Sequence, residues 1–240
     1  MRIDKFLTAS GKCSRKDATR LAKKGAVTVN GRVVKDLSIH IDPLSDTVTL
    51  NGEAVIYEQY TYIMMNKPEG YVSSTDDAGP TVIDLLSDEL KRKNLFPCGR
   101  LDKYTTGLII LTNNGKLAHR LLSPKHHAKK VYSFSLLSPL SEVDRLKLEE
   151  GVDIGDGEKG KYITLPCTIT MTGEKDGEIT LVEGKYHQIK RMAESVGNKI
   201  VRLERISFAG IPLDASLARG EYRPLTSDER ALITCGCEDL

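Results

Sequence analysis

Two Asn-Gly dipeptides place the tightest local constraint on this chain. Asn30-Gly31 lies between Val27-Thr28-Val29 and Arg32-Val33-Val34, and Asn51-Gly52 lies between Thr47–Leu50 and Glu53–Ile56. A two-residue turn between alternating β-formers closes a hairpin when both turn residues take positive φ, which Asn and Gly do at least cost. Ahead of them, Ile3, Phe6 and Leu7 fall at i, i+3 and i+4, an amphipathic helix start that Gly11 ends. Ser14 is placed to cap a second helix, Arg15 to Lys24, with Ala18, Leu21 and Ala22 inward and Gly25 as its stop. Residues 1–60 therefore predict a small helix–helix–hairpin unit.

The charge of this unit points to its partner. Residues 1–35 hold ten Lys/Arg and two Asp/Glu, a net of +8, whereas residues 36–240 hold 25 basic and 31 acidic residues, a net of −6. The outward face of the second helix carries Arg15, Lys16, Arg20, Lys23 and Lys24. An ordinary solvated helix face would interleave acids with bases. Their near absence favours a polyanion, RNA or DNA.

Residues 54–62 read as a short linker, and residues 61–240 as a larger domain. Strands are expected at Tyr62–Met65, Gly107–Thr112, Val131–Leu137, Ile163–Met171 and Glu178–Leu181. Helices are expected at Lys116–Leu122 and His187–Val196, with another starting in Thr81–Leu86. Many strands with few helices argue for an α+β fold around a mostly antiparallel sheet. No apolar run approaches the roughly 18 residues that span a bilayer, and no signal-type stretch follows Met1, so a cytoplasmic location is expected.

Metal and cofactor signals are missing from the pattern. Cys13, Cys98, Cys167, Cys235 and Cys237 are odd in number and scattered, which fits neither a disulfide framework nor a zinc site. The adjacent His126 and His127 would point to opposite faces of a strand and cannot chelate one ion together. There is no dinucleotide fingerprint and no Walker loop, so no cofactor is expected.

The chemistry-bearing segment is Gly99-Arg100-Leu101-Asp102, followed by Thr105-Thr106-Gly107 and the apolar run Leu108–Leu111. A loop carboxylate just ahead of a rigid strand is well held for catalysis, although an isolated loop Asp is more often a turn or cap residue. The pattern G-R-L-D-x-x-T-T-G-L resembles the signature of the pseudouridine synthases. Lys130-Val131-Tyr132 and Glu183 to Met192, with His187-Gln188-Ile189-Lys190-Arg191, resemble two further segments of that family in the same order. Over residues 1–60, R-I-D-K-F-L, C-S-R-K-D-A and V-x-V-N-G-R-x-V resemble an S4 RNA-binding domain. Asn66 to Asp77 and Ser123-Pro124-Lys125-His126-His127 resemble the small-subunit (16S) rRNA group of the family, the RsuA type.

The resemblance implies a uridine-isomerising enzyme acting on 16S rRNA or the assembling small subunit, without a cofactor. It makes Asp102 the essential carboxylate, Tyr132 the residue stacked on a flipped base, and Lys190 the cation paired with Asp102, with Arg100 or Arg191 as fallback. Arg100, Lys130, Gln188 and Arg191 become candidate substrate contacts, and Lys125, His126 and His127 candidate RNA contacts. Leu203 is a candidate for the apolar wall behind the base, as well as an ordinary core leucine. No oligomerisation face stands out, so a monomer is expected. The rival readings are a large-subunit rRNA synthase of the same family, a non-catalytic S4-type rRNA-binding protein, and a two-carboxylate glycosidase. The binding protein would show a degraded motif, and both motifs are intact. The glycosidase needs a second acid with its own context, which Glu183 and Asp84 lack.

Overall fold

The computed structural model describes residues 1–123, 126, 128–155 and 160–234, and the chain separates into two compact units. The first comprises Met1–Thr61 with Ile83–Phe96, and the second Tyr62–Val82 with Pro97–Leu240. Lys125, His127, Cys235 and Cys237 lie outside the described residues.

In the first unit, α1 (Ile3–Ala9) and α2 (Arg15–Lys23) precede β1 (Val27–Val29), β2 (Arg32–Val33), β3 (Val48–Leu50) and β4 (Glu53–Ala54). The strands form an antiparallel sheet in the order β2-β1-β3-β4. Both expected turns take the left-handed conformation, with φ of 50° and 77° at Asn30-Gly31 and 53° and 83° at Asn51-Gly52. The Ser14 hydroxyl accepts the Asp17 amide and caps α2. Ile3, Phe6, Leu7, Ala18, Ala22, Val27 and Val48 form the core, which leaves Arg15, Lys16, Arg20, Lys23 and Lys24 exposed.

Residues 83–96, which the sequence pattern places in 61–240, group with this unit. Thr81–Leu86 forms turns where a helix is expected, and Ser87 instead caps the short α3 (Asp88–Lys91). Gly11, at φ 80°, allows α3 close approach, since a Cβ there would stand 2.6 Å from the Glu89 carbonyl oxygen. The Arg92 guanidinium donates to the Gly11 carbonyl at 3.3 Å.

The second unit begins with β5 (Tyr62–Lys67). After β6 (Phe96–Pro97) come β7 (Thr106–Thr112), α4 (Gly115–Leu122), β8 (Lys130–Leu136), α5 (Glu142–Glu150), β9 (Thr168–Met171), β10 (Asp176–Leu181), α6 (Gln188–Ser195), β11 (Ile200–Phe208), β12 (Ile211–Pro212), β13 (Tyr222–Pro224) and α7 (Ser227–Thr234). Seven strands follow the order β13-β5-β7-β11-β8-β10-β9, all antiparallel neighbours except the parallel pair β7 and β11. The fold is the expected α+β architecture. No helix among the described residues is long and apolar enough to cross a membrane.

β5 and β7 are buried at every position, which explains the unbroken apolar run of Leu108–Leu111. β8 instead alternates, with Lys130, Tyr132, Phe134 and Leu136 on its buried face. Along that face, Phe134, Leu136 and Ile179 share a small void with Ile189, Met192 and Ala193 of α6. The half carrying Lys130 and Tyr132 opens instead onto the cavities described below.

Several elements differ from the sequence pattern for identifiable reasons. The strand expected over Ile163–Met171 shortens to β9, because Pro166 has no amide to give a ladder; Ile163 keeps one isolated bridge to Asp153. α5 buries only Leu148 and so has no apolar stripe to read. β11 carries Arg202, Glu204 and Arg205, which break the apolar alternation.

The parallel β7–β11 contact needs a glycine. Gly107 has φ 99°, and a Cβ there would lie 2.3 Å from the Arg205 carbonyl oxygen and 2.8 Å from its nitrogen. Gly107→Ala is therefore expected to destabilise the protein by about 2–4 kcal/mol, combining backbone strain with overpacking, as read from urea denaturation.

Candidate active site

Asp102 stands in the loop between β6 and β7, and the segment after β5 holds that loop in place. The Lys67 side chain is fully buried, and its ammonium donates to the carbonyls of Thr105 (2.9 Å), Pro68 (3.0 Å), Asp102 (3.1 Å) and Lys103 (3.2 Å). The Ser73 hydroxyl donates to the Leu101 carbonyl at 2.9 Å and accepts the Leu101 amide at 3.0 Å. The Gly70 amide donates to the Lys103 carbonyl at 2.9 Å. Asn66 is tied in turn to the Leu217 carbonyl at 2.8 Å and to Arg219 at 2.6 Å. In the sequence, Asn66–Asp77 marks the subgroup, and its bracing role appears only in the folded chain. The one signal was Asn-Lys-Pro-x-Gly, which reads as an ordinary turn.

The loop presents the Asp102 carboxylate to α6. Lys190, in the first turn of that helix, places its ammonium 2.8 Å from Asp102 Oδ2, with both side chains 27% exposed. The fallback partners are not used. Arg100 lines the same cleft without bonding to Asp102, while Arg191 donates to the carbonyls of Ile154, Gly155 and Tyr186. His187 enters α6 in the left-handed conformation, φ 51°, and sets its Nε2 3.6 Å from Asp102 Oδ1. The Tyr186 ring stacks on His187 at 3.9 Å between centroids.

Tyr132, Gln188 and Leu203 complete the cleft, a cavity of about 80 Å³. Tyr132 and Leu203 supply its apolar wall, each under 10% exposed. Gln188 braces the loop before α6: its amide donates to Glu183 Oε1 at 2.7 Å, and its oxygen accepts the Lys185 amide at 2.9 Å. Glu183 also accepts from the Leu165 amide at 2.9 Å and from the Tyr162 hydroxyl. This carboxylate therefore serves as a structural acceptor, which removes the second acid a glycosidase would need.

The remaining candidates lie elsewhere. Lys130 has its ammonium on the Ala128 carbonyl at 2.9 Å and lines a second cavity with Arg100 and Tyr132. His126 is exposed, its amide bonded to the Ser123 carbonyl, and it does not line the cleft. Lys16, Arg20, Lys23 and Lys24 line a shallow groove on α2 in the first unit.

Burial pulls the Lys67 ammonium down to about 8 against the ordinary lysine value, with Asp102 partly opposing. The folded state thus carries the cost of the charged form below about pH 8 and is relieved of it as the pH rises toward 10.5, where the unfolded chain still binds the proton. Lys67→Met is expected to cost about 1–3 kcal/mol in urea denaturation and to speed amide exchange at Lys103 and Thr105. The stability gap between wild type and the variant should widen from pH 8 to 10.

Comparison with known proteins gives the family of the chain. A family model described as RNA pseudouridylate synthase matches residues 61–195, and the S4 domain model matches residues 1–55. An uncharacterised RNA pseudouridine synthase of Bacillus subtilis (strain 168) is 47% identical over 234 residues, spanning 97% of this chain and 98% of its own. The ribosomal small subunit pseudouridine synthase A of Escherichia coli (strain K12) is 40% identical over 97% of this chain and 100% of its own. A crystal structure of a pseudouridylate synthase superposes with a TM-score of 0.68 at 38% identity, covering 97% of this chain and 99% of that one. The chain therefore belongs to the RNA pseudouridylate synthase family, as a pseudouridine synthase with an N-terminal S4 domain.

Proposed function

We propose that this enzyme isomerises a uridine of small-subunit (16S) ribosomal RNA to pseudouridine, with Asp102 as its catalytic carboxylate. The observation that carries the assignment is the 2.8 Å ion pair between Lys190 and Asp102, in a cleft walled by Tyr132 and Leu203. The choice of rRNA rests on the relatives named ribosomal small subunit pseudouridine synthase A, which align over nearly the whole chain.

The reaction breaks the N1–C1′ bond and joins C5 to C1′. The C5 hydrogen leaves as a proton and N1 gains one, so there is no net oxidation and no group donor. No cofactor is required. The target base must first leave the RNA stack, at a cost of a few kcal/mol that phosphate contacts and aromatic stacking offset. Tyr132 offers the stacking surface, and Leu203 backs the base. Asp102 then adds to C1′ or takes the C2′ proton, and either route needs an ionised carboxylate. Partial burial disfavours that form unless a cation stands beside it, which is the role of Lys190. Tyr132 is also the candidate to relay the C5 proton.

Residues 1–60 act as the RNA-gripping domain and 61–240 as the catalytic one, working as a monomer. Arg15, Lys16, Arg20, Lys23 and Lys24 neutralise phosphates through the exposed face of α2. Arg100 and Gln188 border the bound uridine, Gln188 by ordering the loop before α6.

The direct test is tritium release from C5-tritiated uridine in small-subunit rRNA. Wild type should release tritium and Asp102→Asn should not. Release only from large-subunit rRNA would move the substrate assignment, and none from either RNA would leave a binding protein. Lys23→Glu combined with Lys24→Glu should weaken rRNA binding and lower the slope of log affinity against log salt by about 2. Light scattering should give a mass near 26.5 kDa; twice that would replace the monomer.

A further inference from the structure

Next to the Asp102 cleft lies a larger cavity of about 260 Å³ that shares Arg100, Tyr132 and the Glu183–Lys185 segment with it. Its lining is unusual in charge. Arg100, Lys130, Lys185 and Arg205 contribute four cations against one carboxylate, Glu183, whose oxygens are already engaged by Tyr162, Leu165 and Gln188.

Two of these cations are buried. Arg205 is 2% exposed and Lys130 8%. Arg205 sits opposite Tyr132 in the β8–β11 ladder, at a register shift before Ser207. Such a bulge commonly re-aims a side chain beside a functional site. Its Nε donates to the Leu108 carbonyl at 2.8 Å, which braces β7, but its Nη2 has no hydrogen-bond partner. Lys130 bonds the Ala128 carbonyl, and both cations lie over the Phe208 ring, at 5.7 Å for Lys130 and 4.8 Å for Arg205. Neither is paired with a carboxylate among the described residues.

A brace for β7 needs only the Nε bond, so it does not account for a second cation or for an orphan guanidinium donor. Buried unpaired charges are costly, and two of one sign in one cavity call for an anion. Burial and the neighbouring Arg205 both hold the Lys130 ammonium below its ordinary value, as expected of a cation waiting for its counter-ion.

We propose that this cavity is an anion subsite that receives one phosphodiester of the RNA strand whose uridine stands at Asp102. The anions of an RNA substrate are its phosphates, and ammonium and guanidinium groups suit phosphate oxygens. The shared wall of Arg100 and Tyr132 makes the two cavities neighbours along one strand. The role of this subsite is to fix the register of the strand, so the inference rests on the proposed function.

The test titrates inorganic phosphate into the full-length protein by calorimetry, against chloride at constant ionic strength. Phosphate should bind wild type saturably, Lys130→Met should weaken it roughly tenfold, and Lys130→Arg should restore it. Phosphate should also weaken small-subunit rRNA binding to wild type and not to Lys130→Met. Circular dichroism reports whether Lys130→Met folds. Should it not fold, amide exchange on wild type decides: phosphate should slow exchange at residues 99–101 and 182–185. Absence of saturable binding, protection confined to α2, or binding indifferent to Lys130→Met would overturn the subsite. Phosphate that binds without weakening rRNA binding would mark a free-phosphate site and overturn the RNA assignment. A protein that binds phosphate as expected but releases no tritium would instead sink the catalytic reading and leave the anion subsite standing.

Discussion

The loop that carries Asp102 hangs on one buried ammonium. Lys67, at the end of an entirely buried strand, gathers the carbonyls of Pro68, Asp102, Lys103 and Thr105 around its charge. A loop of this kind would otherwise leave several carbonyls without partners away from water, each costing about 1–3 kcal/mol. Lys67 satisfies them and takes the energetic penalty of a charge out of water, which its lowered affinity for the proton records. What this arrangement gains is geometry: the backbone of Asp102 is fixed, so its side chain meets Lys190 without a search.

That pair depends on a second fixed surface. α6 lays Ile189, Met192 and Ala193 on the apolar half of the sheet, and this docking sets the height at which Lys190 projects. The other half of the same face is polar and hollow. Lys130 and Tyr132 of β8 and Leu203 and Arg205 of β11 share it, each pair at alternating positions of a strand. One sheet face thus divides into a packed half that orients the helix and an open half that lines the two cavities. The parallel join of β7 to β11 brings the Asp102 loop to that open half, and Gly107 is the residue whose missing Cβ permits the join.

The S4 unit contributes through charge rather than shape. Its core is made by apolar residues of α1, α2, the strands and their loops, which leaves Arg15, Lys16, Arg20, Lys23 and Lys24 on the outer face of α2. Counter-ion release from phosphate is sequence-independent, so under the proposed function such a face would hold RNA without choosing the uridine. Discrimination would then fall to the second unit, where the cleft residues are buried and directional. A phosphate held at Lys130 and Arg205 would add register to that discrimination.

Local chemistry alone made much of this legible. The Asn-Gly turns, the capped basic helix and the buried strand after Gly-Arg-Leu-Asp could be read from residue order, because turns, caps and periodicity are short-range effects, whereas the Asp102–Lys190 pair was implied only by the family resemblance. Residues whose roles arise from packing could not be read so. Lys67 looked like part of a turn, Glu183 like a possible acid and Arg191 like a solvated or substrate-facing cation. Lys67 meets the Asp102 carbonyl 35 residues on, Arg191 the Ile154 carbonyl 37 residues back, and Glu183 the Leu165 amide 18 residues back. Arg205 went unread because its strand mixes charge with apolar residues, and its burial exists only once β7, β8 and β11 are assembled. The sequence by itself determined the capped basic helix, the hairpins and the buried strand beside Asp102, because short-range effects set them. The tertiary structure decided which polar groups are taken out of water and left facing a cavity, since desolvation depends on every neighbour at once.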